Sequence, residues 1–127
     1  MKRIVDGNRF TLINNERDIF LTVNEQMEAN NLCLISLAGS ISNEASSYVS
    51  DEIYALMSVG INVKLDLGKT EYISGKMMDS LIHLQRRSED TELGTLPITH
   101  VTRDIYEAMC EAGCSFSLDI ELEGEGK

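Results

Sequence analysis

The stretch Val63-Lys-Leu-Asp-Leu-Gly-Lys-Thr-Glu-Tyr-Ile-Ser-Gly-Lys-Met-Met-Asp-Ser-Leu81 decides the fold. Ile61, Val63, Leu65 and Leu67 recur at every second position, which puts them on one face of a strand running from Ile61 to Leu67. Asp66 then belongs to the opposite face, close to the strand's end. Between Gly68 and Gly75 a loop is expected. After it Met77, Met78, Leu81, Ile82 and Leu84 form the apolar stripe of a helix. Arg86-Arg87 close that helix, where positive charge suits the negative end of its dipole.

Working outward, the same alternation of strand and helix continues on both sides. Upstream, Leu32 to Ala38 is a strand ended by Gly39, and Ser42 or Asn43 caps a helix from about Asn43 to Ser58. Its apolar positions are Ala45, Val49, Ile53 and Leu56, and Gly60 marks its end. A short strand, Ile19 to Val23, precedes a polar stretch from Asn24 to Asn31. Residues 1–18 alternate weakly around the turn formers Asp6-Gly7-Asn8 and close on Asn14-Asn15, as either a hairpin packed on the domain or a loose arm. Downstream of a polar connection, Ser88 to Gly94, a short strand runs from Thr95 to His100. Its Pro97 implies an edge position or a bulge. Thr102 caps a third helix carrying Ile105, Ala108, Met109 and Ala112, with Gly113 as its left-handed stop. Phe116 to Leu122 supplies the last strand, and residues 123–127 are a flexible acidic tail. This order predicts one α/β domain over residues 19–122. Its mixed central sheet has about five strands, parallel in the middle, with helices packed mainly on one face.

Composition narrows what such a domain does. At 127 residues and 43% hydrophobic content the chain fills a single core. No apolar run approaches the roughly 20 residues needed to span a bilayer, and the start of the chain turns polar too early for a signal peptide; a cytoplasmic protein is expected. Twenty-one acidic against eleven basic residues give a net charge of −10, which repels nucleic acid and anionic lipid, so neither nucleic-acid binding nor membrane insertion is expected. Cys33, Cys110 and Cys114 lack CxxC spacing, and with two histidines they assemble no zinc site. All three read as reduced structural thiols. His83 and His100 have no carboxylate or cysteine at catalytic or metal-ligand spacing. The GxSxG, Walker, GxGxxG, HExxH and EF-hand patterns are all absent, so no enzyme, cofactor or metal is expected.

The order of elements and the opening stretch together resemble the STAS domain of bacterial anti-sigma-factor antagonists, over about Ile19 to Glu121. In that family the third strand ends in Asp-Leu-Ser, and a loop leads through an aromatic and an aliphatic residue to Asp-Ser-Ser-Gly-Leu at a helix start. Asp66 and Leu67 match the strand end, Tyr72 and Ile73 the aromatic-aliphatic pair, and Met78 and Leu81 the apolar helix positions. Leu37-Ala-Gly39-Ser-Ile41 is similar to the family's Gly-Glu-Leu turn, and Leu96 to Ile105 to its fourth strand and third helix entry. Counted without a gap from Asp66, the family's loop aspartate falls on Ser74 and its phosphorylatable serine on Gly75. The following serine falls on Lys76 and the glycine on Met77. The phosphoacceptor is therefore missing, unless a one-residue shift of the loop brings Ser74 into its place.

Ser74 has a simpler role as the N-cap of the second helix, with Ile73 and Met78 placed as a hydrophobic staple around it. The resemblance implies a non-catalytic regulator that docks onto an anti-sigma factor or a related kinase-like switch protein, freeing a sigma factor for transcription. The implied contact surface is the start of the second helix and the loop before it: Gly68, Lys69, Thr70, Tyr72, Ser74, Gly75, Lys76, Met77 and Met78. Lys69 and Lys76 bracket that loop in an acidic chain. The methionines also read as core filler. Alternatives are a divergent STAS scaffold, a module binding a small ligand at Asp66, or, remotely, a thiol-dependent enzyme using Cys110 or Cys114.

Overall fold

Val63, Leu65 and Leu67 are all buried in the computed structural model, which describes residues 2–13, 19–91 and 94–122. They lie on a long strand near the middle of one sheet. Among the described residues that sheet has seven strands in chain order: β1 (Lys2–Asp6), β2 (Arg9–Ile13), β3 (Ile19–Ala29), β4 (Leu32–Ile41), β5 (Asn62–Ile73), β6 (Pro97–Val101) and β7 (Asp119–Leu122). Pairing is antiparallel from β1 to β4 and parallel from β4 to β7. The helices α1 (Asn43–Ser58), α2 (Gly75–Asp90) and α3 (Arg103–Glu111) occupy the three parallel connections. Right-handed crossovers that always step the same way put all three on one face. Leu21, Val23, Cys33, Ile35, Leu37, Val63, Leu65 and Ile98 form the sheet's side of the core, with Val49, Ile53, Met77, Leu81, Ile105 and Met109 opposite. The other face of the sheet carries the register row Asn24, Ser36, Asp66 and Thr99.

The architecture is the expected one, except that the sheet has seven strands and not about five. Two come from the N-terminal hairpin, whose Phe10, Leu12 and Ile13 are buried, so that β2 pairs along β3 and extends the sheet. The polar stretch after Val23 continues as strand to Ala29, because Asn24, Glu25, Gln26 and Met27 find partners in Ser36, Ile35, Leu34 and Cys33. The expected loop from Gly68 is also largely strand: β5 runs on to Ile73 beside β4, after a bulge where the register steps from Ser36–Asp66 to Ala38–Lys69. Pro97 lies on an interior strand, not an edge. As the first residue of β6 it forgoes no ladder bond inside the strand, and the register of β6 on β7 is irregular farther on, between Ile98 and Val101. Phe116 falls in a 3-10 turn, Ser115–Ser117, and β7 begins only at Asp119. The acidic tail, 123–127, and the Asn14-Asn15 turn lie outside the described residues.

Local chemistry accounts for the helix ends. Ser42 Oγ accepts from the Ala45 amide at 3.2 Å and Thr102 Oγ1 from the Ile105 amide at 3.4 Å. Gly113, with φ +75°, ends the last turn of α3 as the sequence implied.

One charged cluster ties the hairpin to α1. Arg3 on β1 lies 4.5 Å over the Phe10 ring and 3.9 Å from the Glu52 carboxylate of α1. Glu25 on β3 faces the same group. Burial, then a hydrogen bond to Glu52 and repulsion by its charge, raise the Glu25 carboxyl from 4.5 to about 7, against the pull of Arg3. Because the folded value lies above the unfolded one, the native state holds the extra proton. Its contribution is full below pH 4.5 and is lost as pH rises to about 7. After screening at this part-exposed site, the loss is expected to be roughly 1 kcal/mol. Urea melts at pH 5 and pH 8 check this: Glu25→Gln should flatten the difference, and a slope unchanged in the variant would locate it elsewhere.

Candidate functional site

The start of α2 is built from the end of β5. Ile73 is buried and its successor Ser74 adopts an extended backbone, with its amide donating to the Ile41 carbonyl at 2.9 Å. This bond anchors the helix start to the end of β4. Ser74 Oγ accepts from the Met77 amide at 3.2 Å, and the side chain is only 2% exposed. Its hydroxyl is thus spent on one of the free amides of the first turn. Ser74→Ala is expected to cost about 1 kcal/mol in chemical denaturation.

Gly75 is the first residue of α2 and exposed, and a Cβ built there meets nothing within 4 Å. Lys76 is exposed beside it, its Nζ 3.4 Å from Ser47 Oγ on α1. Tyr72, 55% exposed, completes the rim. Along the outer side, α1 and α2 frame a hollow of about 210 Å³ lined by Ser50, Asp51, Tyr54, Ser80, His83 and Leu84. The Arg87 guanidinium lies 4.3 Å over the Tyr54 ring at this seam.

Several expected contact residues are placed otherwise. Met77 and Met78 are 0% and 5% exposed, so both belong to the core and neither meets solvent. The stripe they share with Leu81 faces the sheet, and successive helix positions 77 and 78 both fall within its width. Thr70 is also buried, its Oγ1 donating to the Leu37 carbonyl at 2.8 Å. Lys69 is exposed but lies with Ala38 on the open sheet face, apart from Gly75 and Lys76.

Asp66 sits on that open face too. Its Oδ1 accepts from the Gly68 amide at 2.9 Å across the bulge and lies 3.5 Å from His100 Nδ1. His100 has φ +55°, and its ring nitrogen is also 3.2 Å from Thr99 Oγ1. Nothing in the sequence placed His100 beside Asp66, since the pairing follows from the parallel register of β5 and β6. The cysteines are free: Cys33 and Cys114 are buried, Cys110 exposed. Burial, followed for Cys33 by the nearby Glu25 charge, pushes both buried thiols up, which keeps them protonated. Among the described residues no three His, Cys, Asp or Glu side chains converge on a metal position. No helix there is long and apolar enough to cross a membrane.

Comparison with known proteins places this arrangement. No family model matches the sequence, and no curated protein matches it. Solved structures do. The anti-sigma factor antagonist SpoIIAA, in its unphosphorylated form, superposes with a TM-score of 0.66 at 10% identity, over 81% of this chain and 90% of that one. An anti-sigma factor antagonist from Mycobacterium paratuberculosis gives 0.68 at 13%, over 87% and 90%. RsbS from Moorella thermoacetica gives 0.63 at 13%, over 79% and 86%. The chain has the STAS fold, the fold of the anti-sigma factor antagonists.

Proposed function

We propose that this chain is a non-catalytic regulator of the anti-sigma-factor-antagonist kind, docking onto a protein partner through the start and exposed side of α2. The partner is an anti-sigma factor or a related kinase-like switch protein. Binding would be free of the serine switch, because the position where the family carries its phosphoserine is Gly75. The observation that carries this reading is the division of labour at the helix start: Gly75 is exposed with open space around it, while the adjacent hydroxyl of Ser74 is buried and capped. Tyr72, Tyr54 and Arg87 are of the residue types that dominate protein interfaces, and Lys76 adds an exposed positive charge at the helix start. The thiol-enzyme alternative would use Cys110 or Cys114, and burial pushes the Cys114 thiol up, away from the thiolate a nucleophile needs.

Affinity capture of the intact protein from its own cells tests the proposal. A kinase-like anti-sigma factor is the expected catch, and Lys76→Glu should weaken that complex about tenfold or more while leaving the melting curve in place. Recovery of membrane or metabolic assemblies alone would refute it.

A further inference from the structure

We propose that the open face of the sheet carries a second site, a cleft under the hairpin turn that binds the phosphate of a small phosphorylated sugar or polyol. The cleft measures about 510 Å³, within the roughly 300–1,000 Å³ span of small-molecule sites. Its wall is the β1–β2 turn. Its floor is the open side of β3, β4 and β5, where Thr22 stands beside Ala38 and Lys69, and Asn24 beside Ser36.

The wall is held in place before any ligand arrives. Gly7, at φ +62°, makes the two-residue turn. The Asn8 carbonyl accepts from the Glu25 amide at 2.8 Å, and Asn8 Nδ2 donates to the Glu25 carbonyl at 2.5 Å. The turn is therefore fastened to β3 at both its backbone and its side chain, which lowers the ordering cost of binding.

Two cations of a chain with net charge −10 meet here, Arg9 from the wall and Lys69 from the floor. Among the described residues Lys69 makes no ion pair within 4 Å. Arg9 has only an exposed contact to Asp6 at 3.6 Å, a pairing of little strength that a phosphate can displace. Asp66, on the same face of the sheet but outside the cleft's lining, accepts from the Gly68 amide through Oδ1 and faces His100. A guanidinium with an ammonium suits a phosphate monoester, as fork and point charge.

The rest of the lining selects the remainder of the ligand. Thr22, Asn24 and Ser36 offer hydroxyls and an amide, and among the described residues their side chains make no hydrogen bond. The one apolar residue in the cleft is Ala38. With no aromatic surface for a nucleobase and no apolar wall for an acyl chain, a polyhydroxylated body is the complementary one.

Amide-resolved NMR titration of the full chain with ribose 5-phosphate tests this, with ribose and inorganic phosphate run separately. Ribose 5-phosphate should shift the amides of Arg9, Thr22, Asn24, Ser36 and Lys69, and raised salt should weaken it. Arg9→Met and Lys69→Met should each weaken binding at least about tenfold, and Asp6→Asn should tighten it about threefold. Arg103→Met, at the start of α3 and away from the cleft, should leave ribose 5-phosphate binding unchanged. Unmoved amides, equal affinity in Lys69→Met, or inorganic phosphate binding as tightly as ribose 5-phosphate would each overturn the assignment. The unperturbed spectrum of each variant away from the cleft establishes that it is folded.

Discussion

Gly39→Ala should lower the stability of this domain by about 4 kcal/mol or more, a large part of the roughly 5–15 kcal/mol that holds a domain of this size together. Gly39 has φ +121°, a conformation that L side chains rarely adopt. A Cβ there would collide with the Phe20 carbonyl oxygen and lie 3.0 Å from its carbon, backbone that cannot swing aside. The position is central as well: Gly39 stands between Leu21 of β3 and Thr70 of β5, so any shift is transmitted to both neighbours. Gly60 provides the control, because its φ is +83° but nothing lies within 4 Å of its would-be Cβ. Gly60→Ala should therefore show backbone strain alone, about 1–2 kcal/mol. Denaturant midpoints at unchanged slope measure both. Equal losses in the two variants would show that the Phe20 contact relaxes and that the backbone angle is the whole effect.

Gly75→Ser should make the docking surface switchable and give the second large effect. The site accepts the change: no atom lies within 4 Å of a Cβ there, and the backbone is not in the left-handed region. A serine hydroxyl at the first position of α2 is exposed beside the helix's free amides. Phosphorylation there adds about 1.5 to 2 negative charges, next to Lys76 on a surface proposed to meet a partner. Incubation with the partner kinase and ATP should label Gly75→Ser and leave the parent unlabelled, and the labelled form should lose affinity about a hundredfold. Label on Ser74 of the parent would reverse the assignment of that residue as a cap alone.

Alternation in Val63, Leu65 and Leu67, the caps Ser42, Ser74 and Thr102, and the stop at Gly113 are local signals, and the structure follows them. What escaped was decided by pairing across the sheet. Asn24 to Ala29 is polar and reads as loop, yet a partner strand satisfies its backbone, and the glycine at 68 marks a bulge inside a strand and not its end. Within the candidate site the exposure of Gly75 and Lys76 was legible from helix position. The burial of Met77 and Met78 follows the apolar stripe that their spacing gives, whereas the burial of Thr70 and the nearness of Asp66 to His100 depended on strand register, which no spacing rule reports. The cleft beside Arg9 joins residues from four separate stretches of chain and left no pattern in any one of them.

The strand order has a consequence for how the molecule assembles. Each strand pairs with its immediate predecessor, and no segment must wait for a distant one before its hydrogen bonds are met. The widest separations between paired strands are a helix and its two short connections, so the entropy of closing each loop stays small. A sheet of this kind can grow in the direction of synthesis, with the antiparallel meander β1 to β4 forming a template before the parallel half emerges. Truncation after Ile41 is then expected to leave a meander that pairs correctly but exposes the apolar face the helices normally cover.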